Sequence, residues 1–276
     1  MSLGERARGF FDLCRATNSV AAGVLTFIGA YVAGRPFAAA ALAAALATVA
    51  ATAAGNAIND YFDRDIDAIN APDRPIPRGA VSPRGALAFS VLLFGLAVAL
   101  ALTLPPLAIA IAVVNLVALV AYTELFKGLP GAGNAVVAYL GGSTFLFGAA
   151  AVGRPFAGAV LFALAALSTF AREVVKDVED VAGDREEGLN TLPIAVGERR
   201  ACWVAVAVLA LAVLASPLPY ARGLFGVAYL AVVVPADLVM AYAAYLAFDD
   251  PTRSQSLLKY GMFLAAAAFV VGRALA

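Results

Sequence analysis

"FAAAALAAALATVAATAAGNAI", residues 37–58, runs directly into "NDYFDRDIDAIN", residues 59–70. The first stretch has only three polar side chains, those of Thr48, Thr52 and Asn56. About 20 apolar residues in a row are enough to cross the hydrocarbon core of a bilayer as a helix. The second stretch then places four aspartates directly after that helix. The junction predicts a transmembrane helix that ends in an acidic cluster.

Apolar segments of this length recur along the whole chain, in which 63% of the residues are hydrophobic and 14% are charged. The helices of a soluble domain would have a polar face, and these segments lack one. The sequence therefore predicts an all-α, polytopic membrane protein with nine transmembrane helices, formed by a single domain over residues 1–276. The predicted spans are 17–34, 37–58, 86–104, 107–123, 132–152, 155–175, 201–217, 223–247 and 256–274.

The distribution of charge predicts how these helices are oriented. With nine spans, the N-terminus and the connections after spans 2, 4, 6 and 8 share one side of the membrane. Of the 19 lysines and arginines, four fall on the other side, which leaves fifteen on the first. The positive-inside rule places the richer side in the cytoplasm. All acidic residues except Asp237 also fall there, so we expect a cell-membrane protein whose chemistry faces the cytoplasm.

The chain lacks one common source of chemistry altogether. It has no histidine, which excludes imidazole acid–base catalysis, haem ligation by histidine and histidine-ligated zinc. Its two cysteines, Cys14 and Cys202, do not have the spacing of metal ligands or of a disulfide framework. The remaining candidates are carboxylates, lysines and arginines, and no nucleic-acid partner is expected.

The acidic cluster at the end of span 2 has helical spacing. Asn59, Asp63 and Asp67 are separated by four residues each, so a continuing helix would place them on one face, with Asp60 beside them. Carboxylates this close together repel one another unless a cation lies between them. Magnesium is typically held by one or two carboxylates together with phosphate oxygens. The pattern favours a magnesium site, although a solvated helix end is an alternative explanation for one such cluster.

A second acidic cluster, in "REVVKDVEDVAGDREEG" at 172–188, follows span 6. Asp177, Asp180 and Asp184 again share one helical face. The two clusters are four spans apart, and 177 − 60 gives a separation of 117 residues. This spacing suggests a diverged repeat of spans 1–4 and 5–8. Two facing acidic helix ends could hold two magnesium ions with a diphosphate bridging them.

Basic residues near both clusters are the expected partners of phosphate oxygens. The connection "APDRPIPRGAVSPRG", residues 71–85, has three prolines within six residues, which stiffen it and prevent a continuing helix. A rigid basic connection beside an acidic site indicates a cap over a ligand. Ordinary positive-inside topology would by itself account for many of these basic residues.

"NDYFDRDID" with "DRPIPRG", and "DVEDVAGD" with "REEGLNTLPI", resemble the two signature motifs of the UbiA-type intramembrane prenyltransferase superfamily. The patterns are NDxxDxxxD after the second helix and DxxxD after the sixth, and here Asp177 extends the second motif to DxxDxxxD. Tyr122 and Lys127 match a "Y…K" loop after span 4. The resemblance implies nine helices around a central cavity that opens to the cytoplasmic side.

The resemblance and the residue chemistry together assign a set of candidate site residues. An implied catalytic role falls on Asp63, Asp67, Asp180 and Asp184. The implied Mg²⁺ ligands are Asn59, Asp63, Asp67, Asp180 and Asp184. The residues implied in binding the diphosphate or the substrate are Arg15, Asn18, Asp60, Arg64, Arg74, Lys127, Lys176 and Asp177.

The resemblance implies a Mg²⁺-dependent transfer of a prenyl group from an isoprenyl diphosphate, with release of diphosphate. Within the superfamily, residues 133–149 and 172–184 look most like the archaeal enzymes that attach a second geranylgeranyl chain to geranylgeranylglyceryl phosphate in ether-lipid synthesis. This makes a lipid phosphate the expected acceptor and geranylgeranyl diphosphate the expected donor.

Other functions stay open at the level of the sequence. The motif at 59–79 would also suit a chlorophyll synthase, and a 4-hydroxybenzoate prenyltransferase is a further alternative. A divalent-cation transporter would explain the carboxylates and the repeat, but its ion site would be expected near the bilayer midplane rather than at span ends. Asp237 is the one acid deep in a span, where a functional role and a structural role beside Pro235 are both open.

Overall fold

The computed structural model describes residues 3–35 and 38–276, and every regular element within these ranges is helical. Fourteen α-helices follow one another, with one π-helical turn at Tyr122–Phe126 after the sixth. The helices are α1 Leu3–Leu13, α2 Ala16–Val32, α3 Ala39–Phe62, α4 Arg64–Asn70, α5 Pro83–Ala101, α6 Pro106–Ala121, α7 Ala132–Ala151, α8 Pro155–Glu179, α9 Val181–Glu186, α10 Leu192–Val196, α11 Glu198–Ala215, α12 Leu218–Ala221, α13 Val227–Leu246 and α14 Pro251–Ala274. The prediction of an all-α fold is confirmed.

Each of the nine predicted spans corresponds to a helix, although not every helix is long enough to cross a bilayer unaided. In the described part of the chain, seven helical stretches are long and apolar enough: α3, α5, α7, α8, α11 with α12, α13 and α14. The pair α1 and α2, bent by 48°, would make an eighth. Helix α6 is a shorter apolar helix of 16 residues that continues into the π-helical turn. The chain is thus a multi-pass membrane protein, and the predicted count of nine spans is confirmed only in part. Phe37, where the second predicted span begins, lies outside the described residues.

Small residues allow the helices of the bundle to approach one another closely. Helix α3 is rich in alanine and buries it on several faces, and Thr26 of α2 shares a 2.9 Å hydrogen bond with Thr48 of α3. At the crossing of α2 and α7, a methyl group on Gly148 would collide with the carbonyl oxygen of Thr26. A methyl group on Gly29 would likewise collide with the carbonyl oxygen of Phe145. Backbones in direct contact are typical of membrane helix pairs, which associate through close packing.

The side-chain contacts place the two acidic clusters at the same end of the bundle. Near the end of α2, the carbonyl oxygen of Ala33 accepts a hydrogen bond from Arg154, in the connection between α7 and α8. Helices α2 and α7 therefore start at the opposite end, where Arg15 contacts the end of α3 and Asn134 contacts the end of α8. The clustering of acids on one side, predicted from hydropathy, is thus built into the fold.

We expect Gly148→Ala to destabilise the protein, because the added methyl group would force α2 and α7 apart. Overpacking of this kind typically costs about 1–3 kcal/mol. Thermal unfolding in detergent micelles would measure the change as a lower melting temperature.

The matched control is Gly95→Ala in α5, where an added methyl group would meet no atom within 4 Å. Alanine is the better helix former by about 0.5–1 kcal/mol, so this variant should unfold at the same temperature or a higher one. Equal melting temperatures for the two variants would contradict the close contact between α2 and α7.

Candidate active site

The first acidic cluster is built around a break in the helix at Asp63. This residue ends α3 and precedes α4, with φ −82° and ψ 1°. The Asp63 N–H donates to the Asn59 carbonyl oxygen, and the Asp67 N–H donates to the Asp63 carbonyl oxygen, each at 2.8 Å. The i, i+4 spacing of the three side chains is therefore retained through the break. Asp60 and Asp67 are buried, with 3% and 5% of their surface exposed, whereas Asn59 and Asp63 are exposed.

Two arginines neutralise the buried carboxylates of this cluster. Arg15 donates to Asp60 at 2.7 Å, and Arg74 lies 3.6 Å from Asp60 and 2.5 Å from Asp67. Partial burial acts to lower the pKa of the Arg74 guanidinium, but its hydrogen bond to Asp67 and the charges of Asp67, Asp60 and Asp63 raise that pKa above its usual value. The stiff connection that was predicted to cap a ligand thus places one of its arginines on the acids.

The backbone of Arg15 is unusual in a way that points to function. Its φ of 44° makes it the one residue other than glycine with a left-handed conformation among the described residues. A residue other than glycine held in this region costs about 1–3 kcal/mol, and such residues cluster at functional sites. Here the turn separates α1 from α2 and directs the guanidinium onto Asp60.

The second cluster repeats this construction at the end of α8. Asp180 ends α8 and precedes α9, with φ −91° and ψ 2°, close to the values at Asp63. Lys176 donates to Asp180 at 2.8 Å. Asn134 at the start of α7 donates to Asp177 at 2.7 Å, and the Thr191 hydroxyl donates to Asp184 at 3.0 Å.

Two of these partners were not predicted from the sequence. Asn134 and Thr191 are buried and hold carboxylates of the second cluster. The suggested repeat offered a signal for Asn134, since it is the third residue of α7 and Asn18 is the third residue of α2. Thr191 lies in the "TLPI" segment that follows the second motif.

Two other residues predicted to bind the diphosphate, Arg64 and Lys127, make no hydrogen bond or ion pair with the buried carboxylates among the described residues. Arg64 donates to the Tyr61 carbonyl oxygen at 2.9 Å, pairs with Asp65 at 3.4 Å and lies over the Tyr61 ring at 5.2 Å. Its contacts are thus on its own segment rather than on the buried carboxylates. Lys127 is exposed at the end of the π-helical turn, and the next residue, Gly128, accepts a hydrogen bond from the Asn190 N–H at 3.0 Å. That bond joins the Lys127 connection to the segment after the second cluster.

The donor set suits a magnesium ion that is completed by a ligand. Among the side chains that the structure describes, no three acidic or cysteine residues come close enough together to hold a metal ion by themselves. Mg²⁺ keeps several waters and is usually bound by one or two carboxylates with substrate phosphates, not by an all-protein cage. The exposed side chain of Asp63 makes no hydrogen bond or ion pair with another described residue, so its carboxylate oxygens are available. The carboxylates fit ions shared with phosphate oxygens.

An apolar cavity of about 340 Å³ lies along α8, the helix that ends in the second cluster, and its volume is within the usual range of about 300–1,000 Å³ for ligand pockets. Residues of α2, α7, α8, α11, α13 and α14 line it. Its wall includes Leu25, Phe145, Leu161, Leu164, Val233, Met240, Phe263 and Phe269. An apolar chamber of this kind could hold a hydrocarbon chain away from water.

Three charged side chains and an asparagine interrupt this apolar wall, which also includes the hydroxyl groups of Ser168, Thr169 and Ser216. Asn18, Arg172 and Lys259 lie toward the end of the bundle that carries the acids. Asp237 lies deeper, where its Oδ2 accepts a hydrogen bond from the Ser216 hydroxyl, while its buried Oδ1 has no partner among the described residues. From the sequence, Lys259 was only part of the charge distribution, whereas Arg172 was also one of the basic residues expected near the second cluster.

Comparison with known proteins agrees with this architecture. The chain matches the UbiA prenyltransferase family over residues 22–267. It is 66% identical over 271 residues to digeranylgeranylglyceryl phosphate synthase of Natronomonas pharaonis, covering 98% of each chain. A solved structure described as digeranylgeranylglyceryl phosphate synthase aligns with a TM-score of 0.85 at 34% identity, over 98% of this chain and 99% of that one. A structure of a UbiA homologue from Archaeoglobus fulgidus bound to GPP and Mg²⁺ has the same fold, with a TM-score of 0.67 at 18% identity over 97% of this chain and all of that one.

We expect Arg15→Ala to destabilise the protein, because it removes the cation closest to the buried Asp60 carboxylate. Leaving a buried polar group short of its partner costs about 1–3 kcal/mol. Adding Asp60→Asn to that variant should recover part of the loss, because the unpaired charge is then gone. A double-mutant cycle by thermal unfolding would measure the coupling.

The control for this cycle is Arg8→Ala, which removes an exposed arginine of α1. It should leave the melting temperature unchanged. Additive effects of Arg15→Ala and Asp60→Asn would show that the ion pair does not stabilise the fold.

Proposed function

The chain belongs to the UbiA prenyltransferase family, and from this premise we propose that it transfers a geranylgeranyl group from geranylgeranyl diphosphate to the hydroxyl of geranylgeranylglyceryl phosphate, releasing diphosphate. The observation that carries the proposal is the pairing of two acidic helix breaks, at Asp63 and Asp180, with an apolar cavity that runs from the same end of the bundle into its interior. Each of the two substrates combines the same two parts, a charged head and an isoprenoid chain. The likeness over nearly full length to digeranylgeranylglyceryl phosphate synthases supports the choice of acceptor.

The acidic end is the proposed site of the diphosphate. We assign Mg²⁺ binding to Asn59, Asp63, Asp67, Asp180 and Asp184. When bound, the metal would neutralise charge on the diphosphate and favour its departure. The structure of a homologue with GPP and Mg²⁺ supports a divalent ion in this fold.

The cationic side chains of the site would act on the same leaving group. Arg74 and Lys176 each contact an aspartate and have N–H groups left over for phosphate oxygens. Cations placed in advance stabilise charge that grows as the C–O bond of the donor breaks. The two electrons of that bond leave with the diphosphate, and the allylic carbon is attacked by the acceptor hydroxyl.

The apolar walls of the cavity and the carboxylates would carry out the two remaining tasks, the exclusion of water and the removal of the hydroxyl proton. The cavity would keep water away from the allylic cation, which would otherwise be hydrolysed. The attacking hydroxyl loses its proton late, when its oxygen has become acidic. Because the chain has no histidine, an aspartate of the clusters is the candidate acceptor of this proton.

We place this site on the cytoplasmic face. The support is the excess of lysine and arginine at the acidic end, since only four of 19 fall on the other side.

In a Cys14→Ser background, a cysteine introduced at exposed Asp73 should react with a membrane-impermeant thiol reagent only after the cytoplasmic face is opened. A cysteine at Arg222 should react from outside, and the reverse pattern would overturn the orientation.

We expect Asp63→Ala and Asp180→Ala to lower prenyl transfer by at least about a hundredfold at any Mg²⁺ concentration, because each removes a carboxylate of the charge-stabilising site. Transfer of radiolabelled prenyl in detergent, with Mg²⁺ titrated, would measure the loss. Removal of Mg²⁺ by a chelator should abolish the wild-type activity reversibly.

The matched control is Asp65→Ala in the same segment. Its side chain is 86% exposed and pairs only with Arg64, so its loss should have a far milder effect. Equal damage from Asp63→Ala and Asp65→Ala would refute the argument from the helical face.

Competition between acceptors tests the proposed substrate directly. Geranylgeranylglyceryl phosphate and 4-hydroxybenzoate would be offered together with geranylgeranyl diphosphate and Mg²⁺. We expect the lipid phosphate to be prenylated in preference, because its own charge calls for the additional cations that the site offers. Preference for the benzoate would reject the lipid acceptor while leaving the family unaffected, and the absence of any transfer would reject the enzyme function.

A further inference from the structure

The cavity has a cationic end that lies apart from the two acidic clusters. Arg172 of α8 and Lys259 of α14 line the cavity there, with Asn18 of α2 beside them. Arg172 precedes Asp180 by eight residues on the same helix, which is about 12 Å at 1.5 Å per residue. A diphosphate held by Asp180 would therefore leave this pair of cations to another group.

The hydrogen bonds of Arg172 are incomplete in a way that leaves room for an anion. Its Nη1 donates to Glu173 at 2.5 Å and its Nη2 donates to Gln255 of α14 at 3.1 Å. Its Nε is buried and has no hydrogen-bond partner among the described residues. A buried guanidinium N–H without an acceptor is costly, which favours a ligand oxygen at this point.

Lys259 supplies a second positive charge at this end of the cavity, near the ion pair of Arg172 with Glu173. No acidic side chain that the structure describes forms an ion pair with its ammonium group. The lysine and the arginine are on facing helices, joined by the hydrogen bond between Arg172 and Gln255. Arginine with a neighbouring lysine is a common arrangement for binding phosphate oxygens.

The apolar part of the cavity wall, which begins next to these cations, indicates what the rest of the ligand is. On α8 the wall continues through Ser168, Ala165 and Leu161, and on α14 it continues through Phe263 and Phe269. From Arg172 to Leu161 the helix advances eleven residues, or about 16 Å. A ligand that fits has one phosphate head and one long hydrocarbon chain.

We propose that Arg172 and Lys259 bind the phosphate of the acceptor lipid, with its isoprenoid chain in the cavity between α8, α13 and α14. This inference rests on the proposed function and adds the residues that select a phosphorylated acceptor. They are positioning residues: by holding the phosphate they place the free hydroxyl of the glycerol beside the allylic carbon of the donor. The donor diphosphate uses the cations of the acidic clusters instead.

The test compares geranylgeranylglyceryl phosphate with its dephosphorylated form, geranylgeranylglycerol, as acceptors. In Arg172→Gln and in Lys259→Gln, the KM for the phosphorylated acceptor should rise about tenfold to a hundredfold, as expected for the loss of a hydrogen bond from a charged group. The KM for geranylgeranyl diphosphate and the KM for geranylgeranylglycerol should stay within about twofold of wild type. Arg172→Lys, which keeps the charge, should recover part of the affinity.

The matched control is Arg253→Gln, which removes an exposed arginine of α14 outside the cavity. It should change none of these constants. Lys259 is exposed, so Lys259→Gln tests the proposal even where Arg172→Gln fails to fold. An unchanged preference for the phosphorylated acceptor, or a rise in the KM for the donor, would overturn the assignment.

Binding without turnover separates this inference from the proposed function. Geranylgeranylglyceryl phosphate should raise the melting temperature of the wild-type protein more than geranylgeranylglycerol does, and Lys259→Gln should abolish the difference. If wild type binds in this way but transfers no prenyl group, the proposed function fails and the phosphate site stands. If wild type transfers the prenyl group while both variants bind as wild type does, only the phosphate site fails.

Discussion

The candidate site depends on carboxylates held out of water by arginines. Asp60 and Asp67 are almost fully buried at the end of a transmembrane helix, where an unpaired charge would be strongly destabilising. Arg15 and Arg74 make the burial possible, and each comes from a connection with restricted backbone freedom. Arg15 lies in a left-handed turn, and Arg74 lies in a segment stiffened by proline. Fixing these charges fixes the ends of α1, α3 and α4 around the site.

The same construction occurs twice in the chain. The long helix before each cluster ends at an aspartate with nearly the same backbone angles, Asp63 in one case and Asp180 in the other. Asp67 and Asp184 each donate a backbone N–H to that aspartate four residues earlier. A left-handed residue precedes the helix that pairs with each of these long helices, Arg15 before α2 and Gly131 before α7. These parallels support our inference of a diverged repeat, in which two guanidinium groups hold the first cluster and an ammonium group, an amide and a hydroxyl hold the second.

The two clusters differ in the side chains that contact their carboxylates, which is consistent with different roles in binding. The first cluster is compensated by two arginines and is the more tightly closed. In the second, Asp177 and Asp184 accept hydrogen bonds only from neutral groups, Asn134 and Thr191. No described cationic side chain forms an ion pair with either carboxylate, which leaves both of them open to a bound cation. The apolar cavity lies on the side of this second cluster, so charge and hydrocarbon are recognised in adjacent parts of one bundle.

The sequence by itself determined the membrane class, the helical architecture and the two acidic helix ends, because hydropathy and i, i+4 spacing are local properties. It also placed nearly all the charge at one end of the bundle, and the clusters do lie there. Only the tertiary structure decided which carboxylates are buried and which are free, since Asp60 and Asp63 cannot be told apart by pattern. It likewise decided that Asn134 holds Asp177, 43 residues away, and that Arg172 reaches Gln255, 83 residues away, beside the cavity. Such partners depend on which helices cross and how closely, and the small residues that set those crossings have no signature in a chain where apolar residues are everywhere.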